Sequence, residues 1–222
     1  MKSEIRSLLE TWARAGRRMV HEADTKRILS LSGIPIPEAA PSNGQTVVKL
    51  ASDRFPHKTE HGLVRLGVPA NDAAAVGEAM RAKDPEGIVL VERMVEDAVA
   101  EWIVGCKHDA TFGPVVLAGP GGTLVELFDE VEVRLAPTTQ ETARAMLDGQ
   151  MGGPLLSGLR GRPPADREAL AELIAGITEI FVTHGDLIEE IEVNPVMVLP
   201  KGRRCVAADA LLILRPPKES LA

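Results

Sequence analysis

Apolar residues at helical spacing open the chain and predict an amphipathic helix. The stripe at i, i+3, i+4 and i+7 consists of Ile5, Leu8, Leu9 and Trp12, so one face of this helix is expected to be buried. A second helix is predicted from His21 to Leu31, because Gly33 and then Pro35 cannot continue it. The pattern predicts further helices at 72–83, 139–148 and 166–184.

Short apolar runs between turn signals predict the strands. They are TVVKL after the turn SNGQ, then GIVLVERMV, AEWIVGCKH, GPVVLAG, EEIEVNPVMVL and CVAADALLIL. The third and fourth runs are expected to form a hairpin around Asp109–Gly113, and the last two pair around a turn at Lys201–Arg203. Because helices and strands mix without a regular βαβ period, the pattern favours an α+β fold over a doubly wound sheet.

Composition excludes two classes of partner. The chain has 222 residues, a net charge of −7 and only 3% aromatic residues with no tyrosine. A nucleic-acid surface is not expected, because no basic cluster offsets the negative charge and no base-stacking platform is available. No run approaches the about 18 apolar residues that a membrane span needs. Cys106 and Cys205 lack metal-ligand spacing, which favours a soluble protein of the reducing cytoplasm.

The segment VVKLASDRFPHKTEHGLVRLGV carries the first candidate chemistry. Lys49 lies at the end of an apolar strand, where a lysine that meets phosphate acts as a point charge. His57 follows in the adjoining loop and could serve as a nucleophile or proton carrier. Solvated strand-end lysines are common, so the segment alone leaves a surface interpretation open.

A glycine-rich turn, GPGG, follows the apolar strand GPVVLAG. Its glycines, Gly119, Gly121 and Gly122, would let backbone N–H groups approach an anion without a Cβ in the way. The spacing matches neither a dinucleotide-binding fingerprint nor a P-loop. A tight hairpin is the alternative interpretation of the same residues.

Alternation along EEIEVNP places Glu190, Glu192 and Asn194 on one face of a strand. Asp209 lies inside the next apolar strand and could face them across a hairpin. Oxygen ligands from two neighbouring strands would suit Mg²⁺ bound together with nucleotide phosphates. A solvated acidic face is the alternative, although an aspartate within an apolar strand requires a partner.

Taken in order, these segments resemble the ATP-grasp (β) subunit of NDP-forming acyl-CoA synthetases, which are related to the succinyl-CoA synthetase β-subunit. The resemblance covers roughly residues 21–214. It rests on GIPIPE, VVKL, HKTEHGLV, VERMV, EWIVG, DATFGPVV, GPGG, DEVEVRLAP, GLRGRPP, EIEVNP and AADA. Two departures are visible: Leu63 and His61 stand where the family usually has a second glycine and a small apolar residue, and the GIPIPE-to-VVKL connection is short.

The resemblance implies an ATP-grasp fold, with two α+β lobes and the nucleotide cleft between them. It implies an N-terminal helix over 1–20, a shortened nucleotide-binding lobe over 21–98 and a second lobe with a metal site over 99–222. It also implies ATP/ADP and Mg²⁺ as ligands. The implied nucleotide-binding residues are Lys49 on the phosphates, Glu92 and Glu101 as nucleotide contacts, and the glycines Gly119, Gly121 and Gly122.

The resemblance further implies Asn194, Asp209 and Glu192 as metal ligands and His57 as the residue that carries phosphate. The implied activity is that of an ADP-forming acyl-CoA synthetase, working by a phosphohistidine relay in a hetero-oligomer with a CoA-binding α-type subunit. A non-catalytic nucleotide-binding regulatory subunit is the alternative. A carboxylate–amine ligase of the same superfamily is a more distant alternative, against which the histidine loop argues.

Overall fold

The computed structural model describes residues 2–52, 58, 61–122, 131–149, 153–158, 161 and 163–216. The chain divides into two compact units. The first comprises Met1–Val20, Asp24–Ile36 and Asp97–Ala222, and the second comprises His21–Ala23 and Pro37–Glu96. This division differs from the predicted boundary at residue 21, because the helix that follows it buries Ile28 and Leu29 in the core of the first unit.

Both helices and strands are present throughout, as an α+β fold requires. The helices are α1 (Lys2–Arg14), α2 (Glu22–Leu31), α3 (Ala73–Arg81), α4 (Gln140–Gly149), α5 (Gly153–Leu156) and α6 (Arg167–Thr183). The strands are β1 (Met19–Val20), β2 (Gln45–Ala51), β3 (Val64–Pro69), β4 (Ile88–Arg93), β5 (Ala100–Asp109), β6 (Gly113–Pro120), β7 (Glu132–Leu135), β8 (Ile188–Val198), β9 (Cys205–Ala207) and β10 (Ala210–Leu214).

The first unit is built on an antiparallel sheet, which within the described residues has seven strands in the order β1-β10-β8-β5-β6-β7, with β9 also on β8. The hairpin predicted around Asp109 is confirmed, because Asp109 lies opposite Gly113 in the β5–β6 register. The predicted pairing of the last two segments is also confirmed, since β8 pairs with both β9 and β10.

One face of this sheet forms the core of the first unit. Trp102, Val104 and Cys106 alternate along β5 toward that face, where α6 buries Ile174 and Phe181. The stripe predicted on α1 is confirmed, with Ile5, Leu9 and Trp12 buried in the same core. Because neighbouring residues of a strand point to opposite faces, the other face displays the residues between the core positions.

The second unit is smaller and holds an antiparallel sheet with the strand order β3-β2-β4 in its described part. Val48 and Leu50 of β2 are fully buried and pack with Met80 of α3. Gly77 lets α3 approach this sheet, since an added Cβ would lie 2.7 Å from a methyl group of Val89. The helix predicted over 72–83 is therefore present and slightly shorter.

The sequence pattern did not predict β1, β3 or β7. Leu66 of β3 is exposed, as are Val133 and Leu135 of β7, so β3 and β7 lack the alternation of one buried and one solvated face, and β1 has only two residues. No helix in the described part of the chain has the length and apolar character needed to span a membrane.

Candidate functional site

A cluster of buried charged residues occupies the second unit. The ammonium Nζ of Lys49 lies 2.6 Å from Oε1 of Glu22 and 3.2 Å from Oε2 of Glu92. Lys58 forms an ion pair with the other carboxylate oxygen of Glu22. We call Glu22, Lys49, Lys58 and Glu92 the lysine–glutamate cluster.

The register of β2 and β4 explains why Lys49 and Glu92 meet. Glu92 lies directly opposite Val47, and Lys49 is two residues further along β2 on the same face. Such diagonal neighbours are within reach of long side chains. Because Val48 and Leu50 fill the opposite face with the apolar core, Lys49 is directed to the polar side of the sheet.

The lysine–glutamate cluster is almost completely removed from solvent. Relative exposures are 4% for Glu22, 5% for Lys49 and 7% for Glu92. A buried charge is tolerated only when it is paired, and here two ammonium groups meet two carboxylates. The prediction that Lys49 reaches a polar site is consistent with this position, but Glu22 and Lys58 were not predicted as parts of it.

His57, predicted as the phosphate carrier, lies outside the described residues. The segment that follows is described from His61 onward, and Leu63 is fully buried among the apolar side chains of the second unit. Its backbone N–H donates to the carbonyl of Lys58, and its carbonyl accepts from the N–H of Leu50. Leu63 therefore has a packing role, which accounts for a bulky residue at a position where the resemblance predicts glycine.

The predicted glycine turn lies in the first unit, directly after β6. The N–H of Gly121 donates to the carbonyl of Glu101 at 2.8 Å. An added Cβ at Gly121 would lie 2.6 Å from the carbonyl oxygen of Trp102 and 2.8 Å from the nitrogen of Ile103. This backbone approach is possible only for glycine.

Gly122 connects the glycine turn to Asn194 by a hydrogen bond. It has a φ of +61°, and an added Cβ would lie 2.9 Å from the carboxylate carbon of Glu101. Its N–H donates to Oδ1 of Asn194 at 3.3 Å. Three groups of predicted residues, Glu101, the glycines and Asn194, thus lie together on one face of the same sheet.

Asn194 lies next to Asp209, which falls in the connection between β9 and β10 and not inside one strand as predicted. The N–H of Asn194 donates to the carbonyl of Asp209 at 3.1 Å, and Ala210 lies opposite Val193. Lys26, which is 2% exposed, donates from Nζ to the carbonyl of Ala208 at 2.6 Å and fixes the connection before Asp209. Lys26 was not predicted as part of the site.

Glu192 stands next along the same face of β8, opposite Leu211 of β10 and Gly105 of β5. Burial raises the pKa of its carboxyl group, and the negative charges of Glu190 and Asp209 raise this pKa further. Two carboxylates near an amide oxygen match the hard oxygen donors that Mg²⁺ prefers. Within the described residues, no trio of His, Cys, Asp or Glu side chains forms a metal site by itself.

A cavity of about 490 Å³ lies elsewhere in the first unit. Its lining includes Ile34, Thr138, Leu173, Gly176, Arg204 and Cys205, and none of the predicted site residues contributes to it. The predicted residues that the structure describes lie on the two sheets instead, so this cavity is not the candidate site.

The whole chain is similar to known proteins of one family. The family described as an ATP-grasp domain matches residues 11–214. Two relatives from Pyrococcus furiosus match nearly the full length. Acetate–CoA ligase [ADP-forming] II subunit beta is 30% identical over 236 residues, which covers 97% of this chain and 100% of that protein. Acetate–CoA ligase [ADP-forming] I subunit beta is 32% identical over 233 residues, covering 96% and 98%.

A solved structure has the same fold over nearly the whole chain. It is the dinucleotide-forming acetyl-coenzyme A synthetase 1 of Ca. Korarchaeum cryptofilum, in complex with coenzyme A and Mg-AMPPCP and with its phosphohistidine segment pointing towards the nucleotide-binding site. The TM-score is 0.82 at 29% sequence identity, with 95% of this chain and 100% of that chain covered.

Proposed function

This chain belongs to the ATP-grasp family, and from that premise we propose that it is the nucleotide-binding subunit of an ADP-forming acyl-CoA synthetase. The reaction is acyl-CoA + ADP + phosphate ⇌ acid + CoA + ATP. Support comes from two relatives of this activity that match over nearly their entire length. The ATP-grasp fold expected from the sequence is confirmed by the family match and by the structural likeness.

The observation that carries the proposal is the buried ammonium group of Lys49, held by two carboxylates in the second unit. An oriented ammonium group in a dry environment stabilises the negative charge of a transferring phosphoryl group far better than one in water. We assign Lys49 to the nucleotide phosphates and Glu92, whose carboxylate contacts the same ammonium, to the nucleotide.

In the first unit, Gly121 and Gly122 let the turn after β6 lie against the backbone of Trp102 and the carboxylate of Glu101, where any Cβ would clash. Gly119 precedes them at the end of β6. We assign these residues to the nucleotide, and Asn194, Asp209 and Glu192 to Mg²⁺. The donor set fits, since it offers an amide oxygen and carboxylates. Bound Mg²⁺ would offset phosphate charge during in-line transfer.

His57 is proposed as the residue that accepts the phosphoryl group and passes it on. One nitrogen of its imidazole would attack the terminal phosphorus, the leaving oxygen would stay on ADP, and the phosphohistidine would then pass the phosphoryl group to the partner subunit. The support is its place in HKTEHGLV and the phosphohistidine segment named for the similar structure.

A CoA-binding α-type subunit is proposed as the partner, because the two full-length relatives are both named subunit beta. The reducing cytoplasm is proposed as the compartment. Cys106 and Cys205 are both buried without a disulfide, and burial raises the pKa of Cys205 to about 12, so these thiols are kept as thiols.

Reconstitution tests this proposal. The chain would be co-purified from its native cell with any bound partner, and ATP formation would be measured from ADP, phosphate and a panel of acyl-CoA thioesters. ATP formation with at least one thioester, dependent on both chains, is the expected result. A complex that binds Mg·ADP and turns over no thioester would instead support the alternative of a regulatory nucleotide-binding subunit.

A further inference from the structure

The carboxylate of Glu22 bridges two lysines in the second unit. Its Oε1 lies 2.6 Å from Nζ of Lys49, and its Oε2 is paired with Lys58. Glu22 begins α2 and lies 27 positions before Lys49 in the chain. From this geometry we propose that Glu22 is the positioning residue that orients the ammonium group of Lys49 toward phosphate. The inference rests on the proposed role of Lys49.

Contact distance and location distinguish Glu22 from Glu92, the second carboxylate on Lys49. The Glu92 contact is longer, at 3.2 Å, and lies within the β2–β4 sheet. Glu22 is the first residue of α2, so it restrains Lys49 from outside the β3-β2-β4 sheet. A strand lysine paired with a helix glutamate is also how protein kinases hold a lysine on nucleotide phosphates.

The negative charge of Glu22 also offsets the positive charges of Lys49 and Lys58. The lysine–glutamate cluster has two positive and two negative groups, all belonging to α2, β2, β4 and the Lys58 segment. Removing the charge of Glu22 takes a carboxylate from both lysines, whose side chains are at most 15% exposed. Lys49 would keep its longer contact with Glu92 but lose the nearer carboxylate, and a buried ammonium group with less negative charge beside it loses its proton more readily. Neutral Lys49 would no longer attract phosphate.

Lys58 extends the restraint along the chain. It shares the carboxylate of Glu22 with Lys49, and its carbonyl accepts the N–H of the fully buried Leu63. Glu22 thus connects the lysine of β2 with the residue directly after His57 in sequence. A glutamine in place of Glu22 keeps the shape and cannot neutralise both lysines.

A double-mutant cycle tests whether Glu22 acts through Lys49. Calorimetry would measure ADP binding to the full chain and to the variants Glu22→Gln, Lys49→Met and the pair combined. Glu22→Gln should weaken binding about tenfold and Lys49→Met by more than about tenfold, and the combined variant should be no weaker than Lys49→Met, since coupled residues are not additive. Glu78→Gln is the matched control, because Glu78 forms an exposed ion pair with Arg81 in the same unit.

The pH dependence separates positioning from a general loss of structure. In Glu22→Gln, ADP affinity should fall further between about pH 7 and about pH 9, because Lys49 loses its proton more readily. The wild type and the control should change by less than about twofold over that range. Glu22→Asp, which keeps the charge on a shorter stem, should restore the flat profile with about a threefold loss of affinity.

The outcomes separate this inference from the proposed function. If Lys49→Met binds ADP more weakly and Glu22→Gln binds it with wild-type affinity, the inference is overturned and the role of Lys49 is unaffected. The inference is also overturned if the loss of ADP-binding free energy in the combined variant equals the sum of the losses in the two single variants. Wild-type affinity in Lys49→Met would overturn both. If Glu22→Gln does not fold, wild-type affinity in Glu22→Asp contradicts the inference, and a partial loss supports it.

Discussion

Gly122 donates its backbone N–H to Oδ1 of Asn194 across 3.3 Å, which joins the turn after β6 to the middle of β8. The two residues are 72 positions apart in the chain. One oxygen of the Asn194 side chain is thereby fixed in orientation. A ligand oxygen that a backbone donor already holds in place loses less conformational entropy when a metal binds.

The first prediction concerns Gly121, which admits the close backbone approach at this turn. Gly121→Ala should lower the free energy of unfolding by about 1–3 kcal/mol, the usual cost of overpacking. It should also weaken ADP binding, because the turn must move away from the carbonyl of Trp102. Urea unfolding and calorimetry measure the two effects.

Gly149→Ala is the control for this prediction, since an added Cβ there meets no atom within 4 Å. It should leave ADP affinity unchanged. Equal affinity in Gly121→Ala and Gly149→Ala would show that the glycine turn does not hold nucleotide.

Much of the first unit could be predicted from local pattern. The α1 stripe, the hairpin at Asp109 and the pairing of the last two segments depend on periodicity and turns that neighbouring residues encode. By contrast, β7 leaves Val133 and Leu135 exposed, at 49% and 62%. Its pairing with β6 depends on backbone hydrogen bonds rather than on burial, so no apolar alternation marks the strand.

The second prediction concerns Lys49. Lys49→Met should weaken ADP binding by about 1.5–3 kcal/mol, the scale of a hydrogen bond to a charged group. Adenosine binding should change much less, because it has no phosphate for the ammonium group to contact. Calorimetry with both ligands measures the difference. Lys83→Met, which removes an exposed lysine of the same unit, should behave as wild type, and equal losses for ADP and adenosine would mean that Lys49 is only structural.

The third prediction concerns the metal. Asp209→Asn should reduce ADP affinity about tenfold in the presence of Mg²⁺, the scale of one lost contact to a charged group. Without Mg²⁺, ADP affinity should stay close to wild type, because the shape of the side chain is kept. The matched control is Asp186→Asn, which removes an exposed carboxylate paired with Arg6. Equal losses with and without Mg²⁺ would make Asp209 a structural residue.

The fourth prediction is a pH dependence that arises from Glu192. Burial and the charges of Glu190 and Asp209 raise the pKa of its carboxyl group above the usual 4.5. The folded chain therefore binds this proton more tightly than the unfolded chain does, so ionised Glu192 opposes folding. The stability that protonated Glu192 confers is therefore lost as the pH rises from 4.5 through the raised pKa. Mg²⁺ binding, by contrast, needs the ionised form of Glu192.

Two measurements check the predicted direction of these pH effects on stability and on Mg²⁺ binding. The free energy of unfolding of Glu192→Gln at neutral pH should exceed that of the wild type, because the buried charge is absent. The Mg²⁺-dependent part of ADP affinity should rise with pH in the wild type and be flat in Glu192→Gln. A wild-type Mg²⁺ dependence that is itself flat from acidic to neutral pH would contradict a metal role for Glu192.

The site could be predicted only where its residues are neighbours in one strand or one turn. Alternation along β8 is sufficient to predict that Glu192 and Asn194 share one face. Glu22 was not predicted, because a glutamate at a helix start is locally explained by the helix dipole. Its contact with Lys49 arises only from the tertiary structure of the second unit, to which both residues belong. Leu63 is explained in the same way, by a buried environment that its own segment does not encode.

The last prediction concerns His57 and separates a catalytic subunit from a regulatory one. His57→Ala should lower turnover of the reconstituted complex by about three orders of magnitude or more, because removing a covalent nucleophile eliminates the step rather than slowing it. Nucleotide affinity of the chain should stay near wild type, since the phosphates are assigned to Lys49 and the glycine turn. Stopped assays of ATP formation and calorimetry give the two numbers.

His61→Ala is the matched control for His57→Ala, because His61 is an exposed histidine four positions further along the same segment. Turnover of His61→Ala should remain close to wild type. Radiolabelled phosphate from ATP should be retained by the wild-type chain and by His61→Ala, and released by acid, as an N-phosphate is. It should be absent from His57→Ala. Labelling that persists in His57→Ala would place the phosphoryl group on another residue and leave His57 without the proposed role.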